Sequence, residues 1–432
     1  MKGSAILPLF IAALTPFLVL TVIVTTTGLG SIAWRPPVLW TNTFGNPHLS
    51  DSATVIASDT SGVYVEGYVN SSGTFGDGPG NLFLSKYDPD GGIIWTRTIG
   101  DTNDSYINGM SVGMDGIYLS GGNLTSRSVQ KYDLTGNRLW ERKLDIPNAE
   151  INAITSAPTN TYIAGTVGYQ PIPQGVEWTA LFVREYDDAG SVLWTNTFNN
   201  STYSGITGLY ASGSGVCIIG YNLVGMPPRN GEFFAKYDQS GHLTWNQQLS
   251  ERASGISGDP TGIYLSGASL RKYDFSGNLV WQTQIDSPDS SKVSGSWTSA
   301  DSSGVFVSAM TYLGHTFIAK YELSGSKDWS FGLSPTGEDF WSHGPYRLTA
   351  GFGGLYIAGA IGGYYGHGAL VEEVSSSSSL VVFGVNPPLS FVILGGPIGV
   401  SVASLLFFRR LRRGRVRPRR VGPSKLSLPA ID

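Results

Sequence analysis

The chain has 432 residues, of which only 14% are charged, and it is rich in glycine (57 residues) and in aromatic side chains (12%). This composition is typical of a turn-rich β protein and excludes a largely helical or disordered one. The net charge is −4, and because the basic residues gather in a C-terminal tail while the rest is acidic, nucleic acid is not expected as a partner.

The N-terminal residues 1–33 carry the pattern of an export signal. Lys2 precedes an uncharged stretch from Ala5 to Val24, and small residues follow near Ala33. The stretch is long for a signal peptide, and as a helix it would cross a bilayer core of about 30 Å. The sequence therefore predicts either a cleaved signal peptide or an N-terminal membrane anchor.

A motif of the form Tyr-Asp-x-x-Gly followed by tryptophan recurs through the middle of the chain. Its first full copy is Tyr87-Asp88 with Gly91 and Trp95, and Trp40 stands alone without the preceding half. The tryptophans are about 48 residues apart on average, a period typical of propellers or solenoids. Aspartate and glycine at this spacing predict a hairpin turn. The seven tryptophans that belong to this motif are Trp40, Trp95, Trp140, Trp194, Trp245, Trp281 and Trp329.

A second motif lies between the tryptophans, a short β-branched and aromatic run that predicts a strand covered on both faces. It centres on Tyr64, Tyr118, Tyr162, Cys217, Tyr264, Phe306 and Tyr356. In the first repeat the predicted strands are 54–58, 62–69, 82–87 and 93–99. Four strands per repeat, with no sign of the helices or very short turns of a solenoid, predict an all-β, seven-bladed β-propeller over residues 34–374. Cys217, the only cysteine, is expected to be a buried structural thiol.

Ring closure is predicted from the strand count. The last repeat has three strands, ending near 370–374, and lacks the tryptophan strand. The strand of Trp40 stands alone, without the other three strands of a repeat. The N-terminal strand is therefore expected to pair with the strand near Val371 and to complete the seventh blade.

The C-terminal region predicts a membrane anchor. A Ser-rich spacer over 375–388 leads to an uncharged apolar stretch, 389–408, predicted as a transmembrane helix, and eight arginines follow in the basic tail 409–432. Arginine-rich flanks stay in the cytoplasm. The expected location is thus the cell membrane, single-pass or two-pass, with the propeller extracytoplasmic and the tail cytoplasmic.

Candidate binding residues lie in the connections between second and third strands and between blades, which vary in length and share one end of the ring. Five sequons fall at the same end and are candidate glycosylation sites. The candidate ligand-binding residues are Tyr169, Trp178, Arg229, Asn230, Trp341, His343, Tyr364, Tyr365 and His367, and the sequons are at Asn70, Asn103, Asn123, Asn199 and Asn200.

The two motifs resemble those of the SBBP repeats, seven-bladed β-propeller repeats of bacterial and archaeal surface proteins. The resemblance covers residues from Trp40 to about Val374, and it departs at Asn160, Ala309 and Glu322. It implies a propeller and a surface location. It brings no catalytic residues with it.

Two classes of function remain open. One is a binding or adhesion scaffold at the cell surface, whose ligand is a surface protein or a glycan. The other is an extracytoplasmic enzyme. It could be a carbohydrate-active propeller that uses paired carboxylates, such as Asp101 with Asp104 or Glu338 with Asp339. A quinone-dependent dehydrogenase is the second enzyme class, and the absence of a vicinal cysteine pair argues against it. No catalytic residue, metal site or cofactor is predicted.

Overall fold

The computed structural model describes residues 38–44, 50–71, 81–101, 106–122, 126–168, 170–172, 175–177, 180–199, 204–224, 229–332, 347–351, 354–361, 368–375, 380–382 and 391–393. Every regular element within these ranges is a strand. The strands β1 to β30 belong to one compact unit, Val38–Ser376.

Strand β1 is Val38–Phe44, and the strands that follow form sheets named here I to VII. Sheet I contains β2 (Ser50–Asp59), β3 (Gly62–Ser71), β4 (Asn81–Tyr87) and β5 (Ile93–Asp101), and sheet II contains β6 (Tyr106–Val112), β7 (Ile117–Gly122), β8 (Arg127–Tyr132) and β9 (Arg138–Lys143). Sheet III begins with β10 (Ala149–Ser156) and β11 (Thr161–Val167), continues after a separate hairpin of β12 (Gln170–Ile172) and β13 (Gly175–Glu177), and ends with β14 (Ala180–Tyr186) and β15 (Val192–Asn199).

Sheets IV to VII repeat the arrangement. Sheet IV contains β16 (Ser204–Ser212), β17 (Gly215–Val224), β18 (Arg229–Tyr237) and β19 (Leu243–Leu249), and sheet V contains β20 (Ala253–Asp259), β21 (Gly262–Gly267), β22 (Ser269–Tyr273) and β23 (Leu279–Gln284). Sheet VI contains β24 (Val293–Asp301), β25 (Gly304–Thr311), β26 (Thr316–Tyr321) and β27 (Lys327–Gly332), and sheet VII contains β28 (Arg347–Gly351), β29 (Gly354–Ile361), β30 (Gly368–Ser375) and β1.

The seven four-stranded sheets are antiparallel, with neighbouring strands paired in order. The first strand of each sheet, here called its inner strand, contacts the inner strand of the next sheet, and β28 contacts β2, so the contacts close a ring. A closed ring of twisted four-stranded sheets is a β-propeller, as the repeat pattern predicts.

Closure joins the two ends of the propeller. Strand β1 pairs with β30, with Val38 opposite Val374 and Asn42 opposite Val371. The predicted pairing of the Trp40 strand is therefore confirmed. It completes sheet VII as a four-stranded sheet with β1 at its outer edge.

The second strand of each sheet supplies much of the core. In β21 every residue is buried, and in β7 all but the last are. These runs are covered by neighbouring sheets on both faces, which explains their uninterrupted apolar pattern. Cys217 lies in such a strand, is buried, and has its pKa raised to about 12 by that burial, as expected of a structural thiol.

The Tyr-Asp-x-x-Gly turns join the third and fourth strands. In the first of them the Asp88 carboxylate accepts hydrogen bonds from the backbone N–H groups of Asp90 and Gly92, at 3.0 and 2.7 Å, and Gly91 has φ of +82°. A carboxylate that closes its own turn has a structural role, and a positive φ favours glycine. The predicted hairpin is confirmed here.

In every sheet except VI, the tryptophan of the fourth strand packs on the hairpin of the next sheet. Trp95, for example, lies against Gly136, and its indole N–H donates to the carbonyl of Leu134 at 3.2 Å. The same bond joins further sheets through Trp140 to Asp188, Trp194 to Gln239, Trp245 to Phe275 and Trp281 to Leu323.

The prediction of a transmembrane helix over 389–408 is wrong for its described residues. These form the short strand β32 (Phe391–Ile393), which pairs with β31 (Leu380–Val382), a strand inside the predicted Ser-rich spacer. Phe, Val and Ile are residue types that favour strands. Within the described ranges no helix is long and apolar enough to cross a membrane. The rest of the predicted span lies outside the described residues.

Candidate functional site

The inner strands enclose a cavity on the axis of the ring. Its volume is about 190 Å³, and all seven inner strands contribute to its wall. The lining residues are mainly small, apolar or uncharged polar. They are Val55, Ile56, Asn108, Gly109, Met110, Asn152, Ala153, Ile154, Thr207, Gly208, Leu209, Ile256, Trp297, Thr298, Arg347 and Leu348.

Short polar side chains tie the inner strands together around this axial cavity. Thr207 donates its hydroxyl hydrogen to the carbonyl of Ala253 on the next inner strand at 3.0 Å, and the Asn108 amide donates to the carbonyl of Ile151. The backbone N–H of Ala350 donates to the Ser299 hydroxyl at 3.0 Å. These bonds hold the wall rigid and use up hydrogen-bonding groups that would otherwise face a ligand.

One position of the inner strands differs between sheets. In every sheet it pairs with a residue eleven places later on the second strand, as Gly109 pairs with Ser120. Five sheets place a small or medium residue there, whereas sheets VI and VII place Trp297 and Arg347. The seven residues in chain order are Val55, Gly109, Ala153, Gly208, Gly255, Trp297 and Arg347.

Trp297 and Arg347 lie against each other in the cavity wall. The guanidinium carbon of Arg347 is 3.4 Å from the centre of the Trp297 ring, a cation–π contact. Arg347 forms no ion pair with any residue that the structure describes. Burial alone lowers the pKa of Arg347 to about 10, which leaves the side chain positively charged at neutral pH.

A buried carboxyl belongs to the second strand of sheet I, next to the cavity wall. Glu66 pairs with Val55 across β2 and β3, and it is 1% exposed. Burial raises the pKa of Glu66 to about 8, and the hydrogen bond that the Thr54 hydroxyl donates to the carboxyl partly offsets this rise. Glu66 does not line the cavity, and Arg347 is the single charged residue in the described cavity wall.

Most of the predicted ligand-binding residues lie outside the described part of the chain. These are Tyr169, Trp178, Trp341, His343, Tyr364, Tyr365 and His367. The backbone of Arg229 and Asn230 is described, and it corrects their predicted placement in a connection between strands. Both residues lie in β18, opposite Val224 and Leu223, because β17 and β18 extend their pairing toward the turn.

Of the predicted glycosylation sites, Asn70 and Asn199 lie near the ends of β3 and β15, and Asn103, Asn123 and Asn200 lie outside the described residues. Nothing in the described structure tests their modification. The channel residues were not predicted from the sequence, although Arg347 stands out at its position, nine residues before the motif centre Tyr356, once the repeats are aligned.

Comparison with known proteins supports the fold alone. No family model matches the chain, and no curated protein matches it, so the resemblance to SBBP repeats stays a prediction. A solved structure of the mitotic checkpoint complex contains a chain with a TM-score of 0.52 and 12% identity, over 81% of this chain and 98% of that one.

Two further solved structures are similar at lower identity. Raptor from Chaetomium thermophilum has a TM-score of 0.51 and 9% identity, over 80% of this chain and 30% of that one. BamB from Moraxella catarrhalis has a TM-score of 0.42 and 11% identity, over 82% of this chain and 99% of that one. At such identities activity does not follow from fold.

Proposed function

We propose that this chain is a membrane-anchored, cell-surface β-propeller that acts as a binding or adhesion scaffold for a protein or glycan partner. The proposed ring has seven blades, one for each four-stranded sheet. The contrast between its two ends carries the proposal: the connections at one end are uniform, and those at the other end differ from sheet to sheet.

The uniform end holds the turns between first and second strands and the Tyr-Asp-x-x-Gly hairpins. Asp59 and Asp259, for instance, both accept the backbone N–H of the glycine three residues later, at 3.0 Å. The Tyr-Asp-x-x-Gly hairpins likewise repeat one bond, from the backbone N–H four residues later to the aspartate carboxylate, in Asp88, Asp133, Asp187, Asp238 and Asp274. An end built from repeated structural turns offers little that could select a partner.

The variable end holds the connections between second and third strands. In sheet V a single residue, Ala268, joins β21 to β22, whereas in sheet III the connection contains the extra hairpin of β12 and β13. Variable connections on a rigid scaffold are where binding usually resides. The predicted residues Trp178 and Tyr365 belong to this end by their place in the chain.

Binding through the variable end is tested on the full-length chain with glycan arrays and with surface proteins of the cells that express it. Once a partner is found, Trp178→Ala or Tyr365→Ala should weaken binding about tenfold or more, as expected of an aromatic contact. Asp133→Ala and Asn137→Ala, in a hairpin of the uniform end, are the matched controls. Loss of binding in the controls alone would overturn the assignment.

The proposed topology places the N-terminal segment 1–33 as a signal or anchor, residues 34–374 outside the cell, and the arginine-rich tail inside, with glycans on the exposed sequons. It rests on the uncharged stretch before Arg409 and on the arginines after it. Protease added to intact cells should remove the propeller and spare a tag placed after Asp432. Digestion of the tag with the propeller intact contradicts this topology.

A further inference from the structure

The two bulky residues of the channel make its wall asymmetric. Trp297 and Arg347 belong to neighbouring sheets VI and VII, while the equivalent positions in sheets II and IV are Gly109 and Gly208. The cavity therefore has an aromatic and cationic side and a side without side-chain bulk. Arg347 lines this cavity and is only half-buried, whereas the Val55 side chain at the same position in sheet I is buried.

The contact with Trp297 leaves part of Arg347 available. A guanidinium stacked on an aromatic ring uses its face, while its N–H donors point outward in its own plane. No hydrogen bond from Arg347 to a described residue uses those donors. The edge of a guanidinium fits the two oxygens of a carboxylate, so the stack presents a preformed anion-binding group.

The rest of the described wall limits what the anion can be. It carries no second charge, and Asn152, which is exposed in the channel, makes no hydrogen bond to a described residue. The positive charge of Arg347 balances one negative charge, and the Asn152 amide can donate one further hydrogen bond. A phosphate dianion generally needs more donors, and about 190 Å³ is below the roughly 300 to 1,000 Å³ of drug-sized sites.

We propose that the axial channel binds a carboxylate group, held by Arg347 on the face of Trp297 and assisted by Asn152. The carboxylate comes either from a small carboxylic acid or from the C-terminus of a peptide. This proposal stands apart from the proposed scaffold function, since it rests on the channel and requires none of the loop residues.

The test uses the full-length chain with benzoate as the probe and benzamide, its uncharged counterpart. In spectra of protein labelled with ¹⁵N-arginine, the side-chain Nε signal of Arg347, assigned by its loss in Arg347→Lys, should shift on titration with benzoate and stay in place with benzamide. Arg347→Gln should weaken benzoate binding, measured by calorimetry, about tenfold or more, as expected for losing a charge-assisted pair.

The matched control is Arg97→Gln, because Arg97 also stacks on a tryptophan, Trp95, but on a fourth strand outside the channel. It should leave benzoate binding unchanged. A second arm compares a tetrapeptide with a free C-terminus and the same peptide amidated. Binding of the free peptide in preference to benzoate identifies a peptide source, and the reverse identifies a small acid.

Three outcomes would overturn the proposal: no movement of the Arg347 signal with either carboxylate, equal binding of benzoate by Arg347→Gln and wild type, or equal binding of benzamide and benzoate. If loop variants abolish partner binding while benzoate still binds, the scaffold function and the channel site are shown to be separate. Failure of partner binding alone leaves the channel result standing.

Discussion

The indole N–H of Trp40 donates a hydrogen bond to the backbone carbonyl of Pro89, with 2.9 Å between nitrogen and oxygen. Trp40 belongs to β1, which completes sheet VII, whereas Pro89 lies in a hairpin of sheet I. The ring of Trp40 also stacks on Tyr87 of sheet I, with centroids 6.1 Å apart. This pair of residues therefore fastens the last sheet of the ring to the first.

Trp40→Ala should open this fastening and lower the free energy of unfolding by about 2 kcal/mol. Truncating a fully buried Trp costs about 3 to 5 kcal/mol, and Trp40 is only partly buried. Trp40→Phe keeps an aromatic ring but loses the N–H donor, so about 1 kcal/mol is expected. Urea denaturation measures both, and an unchanged midpoint for Trp40→Ala would show that closure does not depend on this contact.

Trp329 differs from the other docked tryptophans. It is 4% exposed, yet its indole N–H finds no acceptor among the described residues. Sheet VII has no Tyr-Asp-x-x-Gly sequence after its third strand, which ends at Ser375, so no described residue offers the carbonyl that Leu323 offers to Trp281.

Trp329→Phe should therefore cost less stability than Trp281→Phe. The second variant loses a hydrogen bond worth about 1 kcal/mol, while the first removes a buried donor that has no described partner. Thermal unfolding of the two variants side by side gives the comparison. A larger loss in Trp329→Phe would mean that its N–H is satisfied.

Gly91 should tolerate alanine worse than Gly314 does. Both have a positive φ, +82° and +83°, so adding a side chain at either position costs about 1 kcal/mol of backbone strain. A Cβ at Gly91 would lie 2.5 Å from the Trp40 ring, whereas a Cβ at Gly314 would meet nothing within 4 Å. The difference in unfolding free energy between Gly91→Ala and Gly314→Ala reports the packing of Trp40 alone, and equal losses would argue against that packing.

Glu66 should make the protein less stable as pH rises from about 4.5 to about 8. In the unfolded chain its carboxyl ionises near 4.5, whereas burial keeps it protonated in the folded chain up to about 8. Between these values the unfolded state alone releases the proton, so stability falls by at most about 1.4 kcal/mol per pH unit and levels off above pH 8.

Glu66→Gln should remove this dependence, because an amide does not titrate and can still accept the hydrogen bond from Thr54. The variant is expected to match wild type near pH 4.5 and to exceed it in stability at pH 8. Denaturation midpoints over this pH range test the expectation. Parallel pH profiles for wild type and Glu66→Gln would show that the carboxyl is ionised in the folded state.

The turns and the interior strands could be predicted from the sequence because their causes are local. Asp88 and Gly91 lie three residues apart and close the turn between them. The apolar run around Tyr264 needs only its own composition to indicate a strand covered on both faces. Closure through Trp40 was also predictable, since one strand was missing at one end and one was left over at the other.

The apolar stretch after Leu389 shows where a local pattern is insufficient. Its hydropathy predicts a helix, and its described residues form a strand instead, because pairing with Leu380–Val382 contributes hydrogen bonds that composition does not reveal. The extended pairing of Arg229 with Val224 has the same cause.

The axial channel was decided by the tertiary structure alone. Trp297 and Arg347 are fifty residues apart and meet because the ring places the inner strands of sheets VI and VII side by side. Repetition in the sequence determines the blade, since each blade repeats the same short-range contacts. What faces the axis depends on one position from every repeat at once, and only closure of the ring brings those positions together.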